Sequence, residues 1–526
     1  TTTSTSASDS TSSRSSNTNT ALSSTSSSLN YQENPSEHEP RQSILATTND
    51  NDDDDDTIDG VCTVQILMSA TGGGHLASAI ALEDALDHLY PGRFVCEIVD
   101  IYTDYGPFWP YNDMVRMYKF MADHPWTWEL FFRFGETDFG LKLNEWMQSV
   151  LCYEPFSRCM KRTIGVASSS YSTPSYSMPS FAGDDEEQQL LLLQHQRADM
   201  VVSVHPLCQD LPLKILSDLD ASEQKKTPFV TVVTDLGGAH KTWFHPAVDK
   251  CFVPSDALNK KAQSRGLDAS SQIVQYGLPI RKGFWPNSND NSNSNGDHQD
   301  SSSSSSDDGK KQVREALGID DIPTVLVVGG GDGMGGIVDI ASSLGKTLGT
   351  RDEKKKNSDD DAPGYQMVVV CGNNREARER LGRMRWPAGV RVNVQGYVRN
   401  MDEWMRASDC LVTKAGPGTI AEASICGLPC MLFAYLPGQE EGNIPFVEDS
   451  GFGKYSSDPD EIADTVSSWL GSPETLSGMQ AAAVEASRPR ATIDIARDLA
   501  EIGFSTKKEQ RQRQRQQQQK LRVRVR

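Results

Sequence analysis

The sequence lacks several features that would each define a class of protein. No apolar run approaches the roughly 20 residues that a membrane-spanning helix needs. The ten cysteines show no paired zinc spacing, and Cys62, Cys208 and Cys251 stand where a small hydrophobic residue would serve, which favours buried free thiols in a reducing compartment. No glycine loop is followed by Gly-Lys-Ser/Thr, and none has a clean dinucleotide spacing, which argues against nucleoside triphosphatases and dehydrogenases.

Positive charge is also scarce. The 51 Lys and Arg residues against 72 Asp and Glu residues give a net charge of −21, which argues against a nucleic-acid binder, because a phosphate backbone attracts a basic surface. The exception is the segment 507–526, which carries nine basic residues against one acidic residue, Glu509. Such a tail can attract anionic lipid or can be a solvated end, and the composition favours the solvated end.

Composition separates segments that can build a core from segments that cannot. Stretches of Ser, Thr, Asn, Asp or basic residues bury too little apolar surface to offset their ordering entropy, and we expect them to be disordered. These stretches are 1–60, about 167–187, 286–311 and 506–526. The expected folded segments are 61–285, 312–485 and a helical segment at 486–505. Short apolar strands alternate with helical patterns in both large segments, which predicts α/β domains with parallel sheets.

Three junctions between a predicted strand and a predicted helix carry glycine turns. They contain Gly72 to Gly74 before His75, then Gly329 to Gly331, and finally Gly416 and Gly418. Free backbone N–H groups and the positive end of a helix dipole at such turns favour a diphosphate. One glycine loop is weak evidence, but three at the ends of strands in one chain are hard to explain by chance.

The last of these turns allows two interpretations. Thr419 and Glu422 have the spacing of a capping box, and Gly427 and Pro429 would then end the helix. In a ligand site, Glu422 would repel phosphate and would instead bind neutral hydroxyls, such as those of a ribose. This segment taken alone leaves both interpretations open, and the two other glycine turns favour the ligand site.

Aromatic residues are concentrated between Phe108 and Phe134, and four of the nine tryptophans lie between Trp109 and Trp146. Trp and Tyr favour a membrane interface, because their bodies are apolar and their edges polar. Lys119 and Arg133 could meet lipid phosphate nearby. The alternative is an ordinary aromatic core, which the residues alone favour slightly.

In order and content these blocks resemble the monogalactosyldiacylglycerol synthase family, which is related to the bacterial enzyme that adds N-acetylglucosamine to the peptidoglycan lipid precursor. The matching segments are 68–79, 233–245, 276–281, 329–336, 396–398 with Trp404, and 413–443. The blocks 414–419 and 437–443 are highly specific to the galactolipid branch. Leu76 and the run Gly237-Gly238-Ala239 depart from the family pattern, in a region expected to contact anionic lipids near His75.

The resemblance implies a GT-B fold, in which two Rossmann-like domains face one cleft and the segment 486–505 returns to the first domain. It implies transfer of galactose from UDP-galactose to diacylglycerol by a peripheral or monotopic protein, with no cofactor and no obligatory metal. Anionic lipids as activators and a homodimer are further expectations. The chain begins with Thr1, so we expect a trimmed N-terminus. The location at the chloroplast envelope or thylakoid therefore rests on the resemblance alone.

The site residues are expected in the matching blocks. His75 is the leading catalytic base, because a neutral imidazole can take the proton of an attacking alcohol, with Asp235 and His240 as alternatives and His205 as a structural residue. The donor is expected at Gly329, Gly330, Gly331, Gly416, Gly418, Thr419, Glu422, Gln439, Glu440 and Asn443. The acceptor or the membrane is expected at Gly73, Gly74, Trp126, Trp128 and Trp243.

Three competing hypotheses stay open. One is another lipid glycosyltransferase that uses UDP-glucose or UDP-N-acetylglucosamine. The second is a UDP-sugar 2-epimerase, which shares the two-domain arrangement but needs no lipid. The third is a noncatalytic lipid-binding protein, which would bind membranes without releasing sugar.

Overall fold

Both halves of the chain alternate short apolar strands with helices, as the sequence predicts. The computed structural model describes residues 60–71, 73–162, 164, 197–223, 225–286, 304–329, 336–355 and 363–525. The expectations of disorder at 1–59, 167–187 and 287–303 concern residues outside these ranges, as do the expected site residues Gly330 and Gly331.

The N-terminal half forms a parallel sheet. Its strands are β1 (Cys62–Met68), β2 (Phe94–Asp100), β3 (Met200–Ser203), β4 (Phe229–Val232), β5 (Lys250–Val253) and β6 (Ile273–Gln275). They lie in the order β2-β1-β3-β4-β5-β6. The strands β3 and β4 are buried along their whole length, because helices cover both faces of the sheet, and this explains their continuous apolar sequences.

The helices of this half are α1 (Gly73–Leu89), α2 (Ile101–Tyr105), α3 (Met114–Asp123), α4 (Pro125–Gly135), α5 (Asp138–Leu151), α6 (Tyr153–Lys161), α7 (Asp210–Glu223) and α8 (Asp256–Ser264). Helix α1 begins three residues before the expected start at Leu76. Helices α3 to α5 follow the C-terminal end of β2 and contain most of the aromatic region noted in the sequence.

The C-terminal half forms a second parallel sheet. Its strands are β7 (Thr324–Val328), β8 (Tyr365–Val370), β9 (Val390–Gln395), β10 (Cys410–Thr413), β11 (Cys430–Leu432) and β12 (Gly453–Tyr455). The order is β12-β11-β10-β7-β8-β9, which is the strand order of the dinucleotide-binding Rossmann fold when β7 is counted as the first strand. The chain therefore changes direction across the sheet between β7 and β10, where such folds bind ligands.

The helices of this half are α9 (Ser304–Leu317), α10 (Ile337–Lys355), α11 (Arg375–Arg383), α12 (Met401–Arg406), α13 (Pro417–Ile425), α14 (Asn443–Asp449), α15 (Pro459–Leu470), α16 (Pro473–Ala486) and α17 (Ala491–Val525). Helix α17 returns to the first domain and packs on α1 and β1. Thr492 near its start hydrogen-bonds both the N–H and the C=O of Ile280, in the segment that joins the two domains. Two parallel α/β domains joined in this way form the predicted GT-B fold.

The structure differs from the sequence analysis at two segments expected to be disordered. Residues 506–525 continue helix α17 and residues 304–311 begin helix α9. In the first case Arg, Gln, Lys and Glu are strong helix formers, and an already packed helix extends without a new nucleation step. In the second case Lys310 donates to Asp409 at 2.7 Å, which ties the start of α9 to the sheet. A low apolar content therefore does not lead to disorder where such local effects stabilise a helix.

The cysteines behave as predicted. All ten are free thiols and eight of them are buried. Burial raises the pKa of Cys62 and Cys251 to about 12, which keeps both thiols protonated near neutral pH.

Among the described helices, none is both long and apolar enough to cross a membrane.

A buried carboxylate ties α17 to the first sheet. Asp199 precedes β3, is buried, and accepts hydrogen bonds from the N–H and hydroxyl of Thr63 at 2.9 Å each. The ammonium of Lys507 lies 2.6 Å from its Oδ2, and that of Lys225 lies 3.8 Å from its Oδ1. The charge of Asp199 is thus balanced by a residue of the long C-terminal helix.

We expect Lys507→Met to destabilise the protein by about 2 kcal/mol, because it removes a charged partner from a buried carboxylate. Lys508→Met is the matched control, since Lys508 is exposed and should change stability by less than about 0.5 kcal/mol. Urea-induced unfolding followed by circular dichroism measures both changes. Equal effects of the two substitutions would contradict the role given to Lys507.

Candidate active site

The predicted site residues lie at the C-terminal ends of the strands of both sheets. In the first domain they follow β1 and β4, and in the second they follow β7, β10 and β11. Gly73 and Gly74 start α1 just before His75, and an added Cβ at Gly74 would meet no atom within 4 Å. Gly329 follows β7 directly, and its N–H lies 3.4 Å from the carbonyl oxygen of Val370.

The turn after β10 opens a helix. Gly416 is the N-cap of α13, Pro417 is its first residue, and no side chain caps this helix. A Cβ added at Gly418 would meet no atom within 4 Å, so the helix start is open to a close neighbour. The capping-box interpretation of Thr419 and Glu422 is wrong, because Thr419 lies inside the helix. The N-terminal N–H groups of α13 are an anion-binding arrangement.

Glu422 is buried and forms a two-pronged ion pair that the sequence analysis missed. Arg281 donates from Nε to one carboxylate oxygen at 2.7 Å and from an Nη to the other at 2.6 Å. Burial raises the pKa of Glu422, and the guanidinium opposes this rise. Because Arg281 lies in the segment between the domains, this pair connects that segment to α13.

The loop 436–443 after β11 carries three of the predicted donor residues. Glu440 accepts from the ammonium of Lys414 at 2.6 Å and from the N–H of Leu436 at 2.9 Å, so the loop is tied to the end of β10. Asn443 donates to the carbonyl oxygen of Ala415 at 2.8 Å and accepts from the N–H of Gly237 at 2.7 Å. Asn443 therefore braces the turn before α13 against the first domain.

Gly237 and Gly442 bring the two domains into backbone contact. A Cβ added at Gly237 would clash with the carbonyl oxygen of Gly442, and one at Gly442 would clash with the backbone of Gly237. The run Gly237-Gly238-Ala239, which departs from the family pattern, thus lies against the loop 436–443, which carries predicted donor residues. Small residues are needed here because the two loops are in contact through their backbones.

A cavity of about 260 Å³ opens in the first domain beside this contact. Its walls are aromatic and aliphatic residues of the 3-10 turn 111–113 and of α3, α4 and α5, including Tyr111, Met117, Met121, Trp128, Phe131 and Leu141. At the other end it is lined by His75, His205, Asp235, His240 and Gln439. An apolar chamber therefore leads to ionisable groups at the domain boundary.

His75 is buried at the cavity with one nitrogen engaged. Its Nδ1 lies 2.9 Å from the carbonyl oxygen of Val204 and 2.9 Å from the hydroxyl of Thr234. Because a carbonyl only accepts, Nδ1 carries the hydrogen and Nε2 keeps its lone pair. Burial lowers the pKa of His75 to about 4, so the imidazole is neutral near neutral pH.

His240 and His205 have both ring nitrogens engaged. Nδ1 of His240 accepts from the N–H of Thr242 at 3.3 Å, and its Nε2 donates to the backbone carbonyl oxygen of Gly135. Nδ1 of His205 accepts from the N–H of Leu207 at 3.2 Å, and its Nε2 lies 2.8 Å from the hydroxyl of Thr71. These bonds give both rings a structural task, as predicted for His205 only.

Asp235 follows β4 and is buried in the cavity wall. The indole N–H of Trp243 donates to its Oδ2 at 2.6 Å, and Gln439 of the second domain donates to its Oδ1 at 3.4 Å. Burial raises the pKa of Asp235 to about 7, although both hydrogen bonds favour the charged form. Trp243 is fully buried and so does not contact a membrane, while its expected place at the acceptor stays a prediction.

The other two predicted tryptophans take different positions. Trp126 is 70% exposed, whereas Trp128 lines the cavity with its ring 5.3 Å from that of Tyr118. Further exposed apolar residues lie on α3 to α5 and just before α3: Phe108, Trp109, Phe120, Leu130, Phe131, Phe134, Phe139, Trp146 and Val150. An ordinary aromatic core does not describe these side chains, and we call them the apolar surface.

The fold and this site define a class of protein. Three features are typical of UDP-sugar glycosyltransferases of the GT-B type. The chain has two Rossmann-like domains, the second domain has a helix that starts at glycines, and the first domain has a cavity with ionisable groups. Residues 324–483 match the model of the glycosyltransferase family 28 C-terminal domain, and residues 180–280 match that of monogalactosyldiacylglycerol (MGDG) synthase.

Relatives of known name agree with the second match. Monogalactosyldiacylglycerol synthase 3, chloroplastic, of Arabidopsis thaliana is 36% identical over 451 residues, which cover 85% of this chain and 82% of the relative. The chloroplastic enzyme of Spinacia oleracea is 36% identical over 84% of this chain and 72% of its own length. A solved structure of MurG from Acinetobacter baumannii has a TM-score of 0.45 at 13% identity, covering 83% of this chain and 98% of its own. The chain belongs to the monogalactosyldiacylglycerol synthase family.

Gly237→Ala should destabilise the protein by about 1–3 kcal/mol, because the new methyl group must push the backbone of Gly442 away. Gly382→Ala is the matched control: this glycine lies in helix α11 with open space at its Cβ, and alanine there should stabilise by up to about 1 kcal/mol. Chemical unfolding midpoints measure both. Equal stability of the Gly237 variant and the wild type would show that the two loops do not touch in solution.

Proposed function

We propose that the chain transfers galactose from UDP-galactose to the free hydroxyl of diacylglycerol, with inversion to a β linkage and release of UDP. The observation that carries this proposal is the cavity, whose apolar walls end at Asp235, His75 and Gln439. Such a chamber suits an acceptor with an apolar body and one reactive hydroxyl. The names of the relatives contain the product, monogalactosyldiacylglycerol.

The second domain offers the features that a UDP-sugar needs. The N–H groups at the start of α13 and the turn at Gly329 can bind the diphosphate, whose charge grows as it leaves. Glu422 is held in place by Arg281, and its carboxylate can accept hydrogen bonds from ribose hydroxyls. Gln439 lies next to Asp235 and can reach the sugar between the two domains. Because backbone groups can stabilise the leaving group, we expect no cofactor and no obligatory metal.

We propose that the glycerol end of the acceptor lies in the cavity and that its acyl chains extend toward the apolar surface. The indole N–H of Trp128 is buried at the cavity and has no hydrogen-bond acceptor among the described residues. An ester carbonyl of the acceptor would satisfy this donor, since a buried N–H without a partner is costly. The structure thus offers one polar contact and an apolar chamber to a glycerolipid.

The competing functions fit the cavity less well. A UDP-sugar 2-epimerase acts without an acceptor and has no use for an aromatic chamber that opens next to the donor loop. A noncatalytic lipid-binding protein has no use for a second domain with an open helix start. Other lipid glycosyltransferases share both features, and only a comparison of donors separates them from this proposal.

The test is transfer to diacylglycerol in liposomes with UDP-galactose, UDP-glucose and UDP-N-acetylglucosamine as donors. We expect galactolipid with a β-anomeric proton by NMR, and at least about ten-fold lower kcat/KM with the other donors. Preference for another donor would overturn the galactose assignment. Conversion of a UDP-sugar without acceptor would support the epimerase, and lipid binding without sugar release would support the noncatalytic protein.

The apolar surface suits peripheral attachment to a membrane. Two of its aromatic residues, Phe131 and Phe134, are both exposed and part of the cavity lining. Aromatic rings are favoured at the boundary between acyl chains and headgroups. Because the relatives are named chloroplastic, we propose that this membrane belongs to the chloroplast. Activation by anionic lipid and a homodimer remain proposals from the family.

Trp126→Ala should weaken binding to diacylglycerol liposomes by roughly ten-fold, because one large aromatic side chain no longer enters the interface. Tyr397→Ala is the matched control, since Tyr397 is similarly exposed but belongs to the second domain. Liposome co-sedimentation measures both, and circular dichroism checks the fold. Unchanged binding of the Trp126 variant would sink the membrane role of this surface.

A further inference from the structure

Four ionisable side chains line the polar end of the cavity, and their hydrogen bonds decide which of them can take a proton. Both ring nitrogens of His205 are hydrogen-bonded, to Leu207 and Thr71, and both ring nitrogens of His240 are hydrogen-bonded, to Thr242 and to the carbonyl oxygen of Gly135. A ring with no free lone pair cannot act as a base toward an alcohol. The two remaining candidates are His75 and Asp235.

The surroundings of these two groups differ. Asp235 is positioned by both domains: Trp243 fixes Oδ2 from the first domain, and Gln439 reaches Oδ1 from the donor loop. His75 contacts its own domain only, through Val204 and Thr234. A base for this reaction must lie where the acceptor hydroxyl meets the sugar carbon, which is the boundary between the cavity and the donor loop.

We propose that Asp235 is the catalytic base of the transfer and that Trp243 is its positioning residue. This inference rests on the proposed function and assigns a role within it. The acceptor oxygen forms a bond to the anomeric carbon of the sugar as that carbon's bond to the diphosphate oxygen breaks. The alcohol proton passes to Oδ1 of Asp235, and the electron pair of the broken bond leaves with UDP. His75 takes no proton in this step and stays neutral.

The charges around Asp235 support this assignment. Burial has the largest effect on the pKa of Asp235 and raises it to about 7. The hydrogen bonds from Trp243 and Gln439 lower this pKa. The charge of Glu440 raises the pKa of Asp235, and that of Lys261 lowers it. The neutral imidazoles of His75, His205 and His240 add no positive charge nearby, since burial lowers their pKa values. A carboxylate with a pKa near the working pH is suited to accept a proton as the oxygen attacks. The side chain of His75, with a pKa of about 4, is the weaker base.

The pH dependence of kcat/KM tests the proposal. A base must be ionised in the free enzyme, so the rate should rise with pH through about 7 and level off above it. Trp243→Phe removes a donor that favours the charged carboxylate, so the pKa rises and the ascending limb should move to higher pH by ~1 unit. Because Trp243 is fully buried, Gln439→Leu serves as a second variant and should shift the limb in the same direction by less.

Asp235→Asn keeps the size and the hydrogen bond from Trp243 but cannot take the proton. It should lower kcat at least about 100-fold, while the Kd for UDP, measured by calorimetry, stays within about two-fold. His75→Gln should keep the ascending limb near pH 7, whatever its rate. If Asp235→Asn retains more than a tenth of the wild-type kcat, or if the limb is unmoved in both the Trp243 and Gln439 variants, Asp235 is not the base. A wild-type protein that makes no galactolipid would instead refute the proposed function.

Discussion

The contact between the loop after β4 and the loop after β11 is the constraint on which the site depends. Gly237 and Gly442 touch through their backbones, and Asn443 joins the N–H of Gly237 to the turn that starts α13. A glycosyltransferase of this fold must bring a donor in one domain to an acceptor in the other. Here that distance is set by peptide groups, which vary less in position than flexible side chains would. Gln439 lies within hydrogen-bonding distance of Asp235 because the two loops are in contact.

The loop 436–443 after β11 also contacts the helices that carry the apolar surface. A Cβ added at Gly438 would clash with the ring of Phe132, which also lies 5.0 Å from the ring of His240. Glu136, just beyond α4, accepts from the N–H of Lys241 at 2.8 Å. Helix α4 therefore contacts loops of both domains at one end while presenting Trp126 to the surroundings at the other. A change in the position of α4 would reach the loop 436–443 through contacts such as that of Phe132 with Gly438.

The fold was largely predictable because it depends on periodicity. Strands such as Thr324–Val328 are short apolar runs, and glycine turns mark the C-terminal ends of several of them. The parallel sheets and the sheet edge that holds the site could therefore be inferred from the sequence. The partners of the site residues could not. Arg281 lies 141 positions from Glu422, and nothing in the local sequence of either residue indicates the other. Similarly, a tryptophan eight positions after Asp235 gives no sign whether it faces a lipid or a carboxylate.

Sequence alone would group the basic end of α17 with the apolar surface. The position of α17 separates them. Gly503 packs against Cys62 and Phe94, the first residues of β1 and β2, and Gly60 packs against Arg511. These contacts place the basic part of the helix at the N-terminal edge of the first sheet. The apolar surface follows the C-terminal end of β2, and strands of seven residues put about 20 Å between the edges. Because a Debye length in physiological salt is about 8 Å, charges such as Lys508 and Arg511 would add little attraction to a bilayer that binds the apolar surface. The membrane attachment proposed for the cavity mouth would therefore rest mainly on apolar burial by α3 to α5.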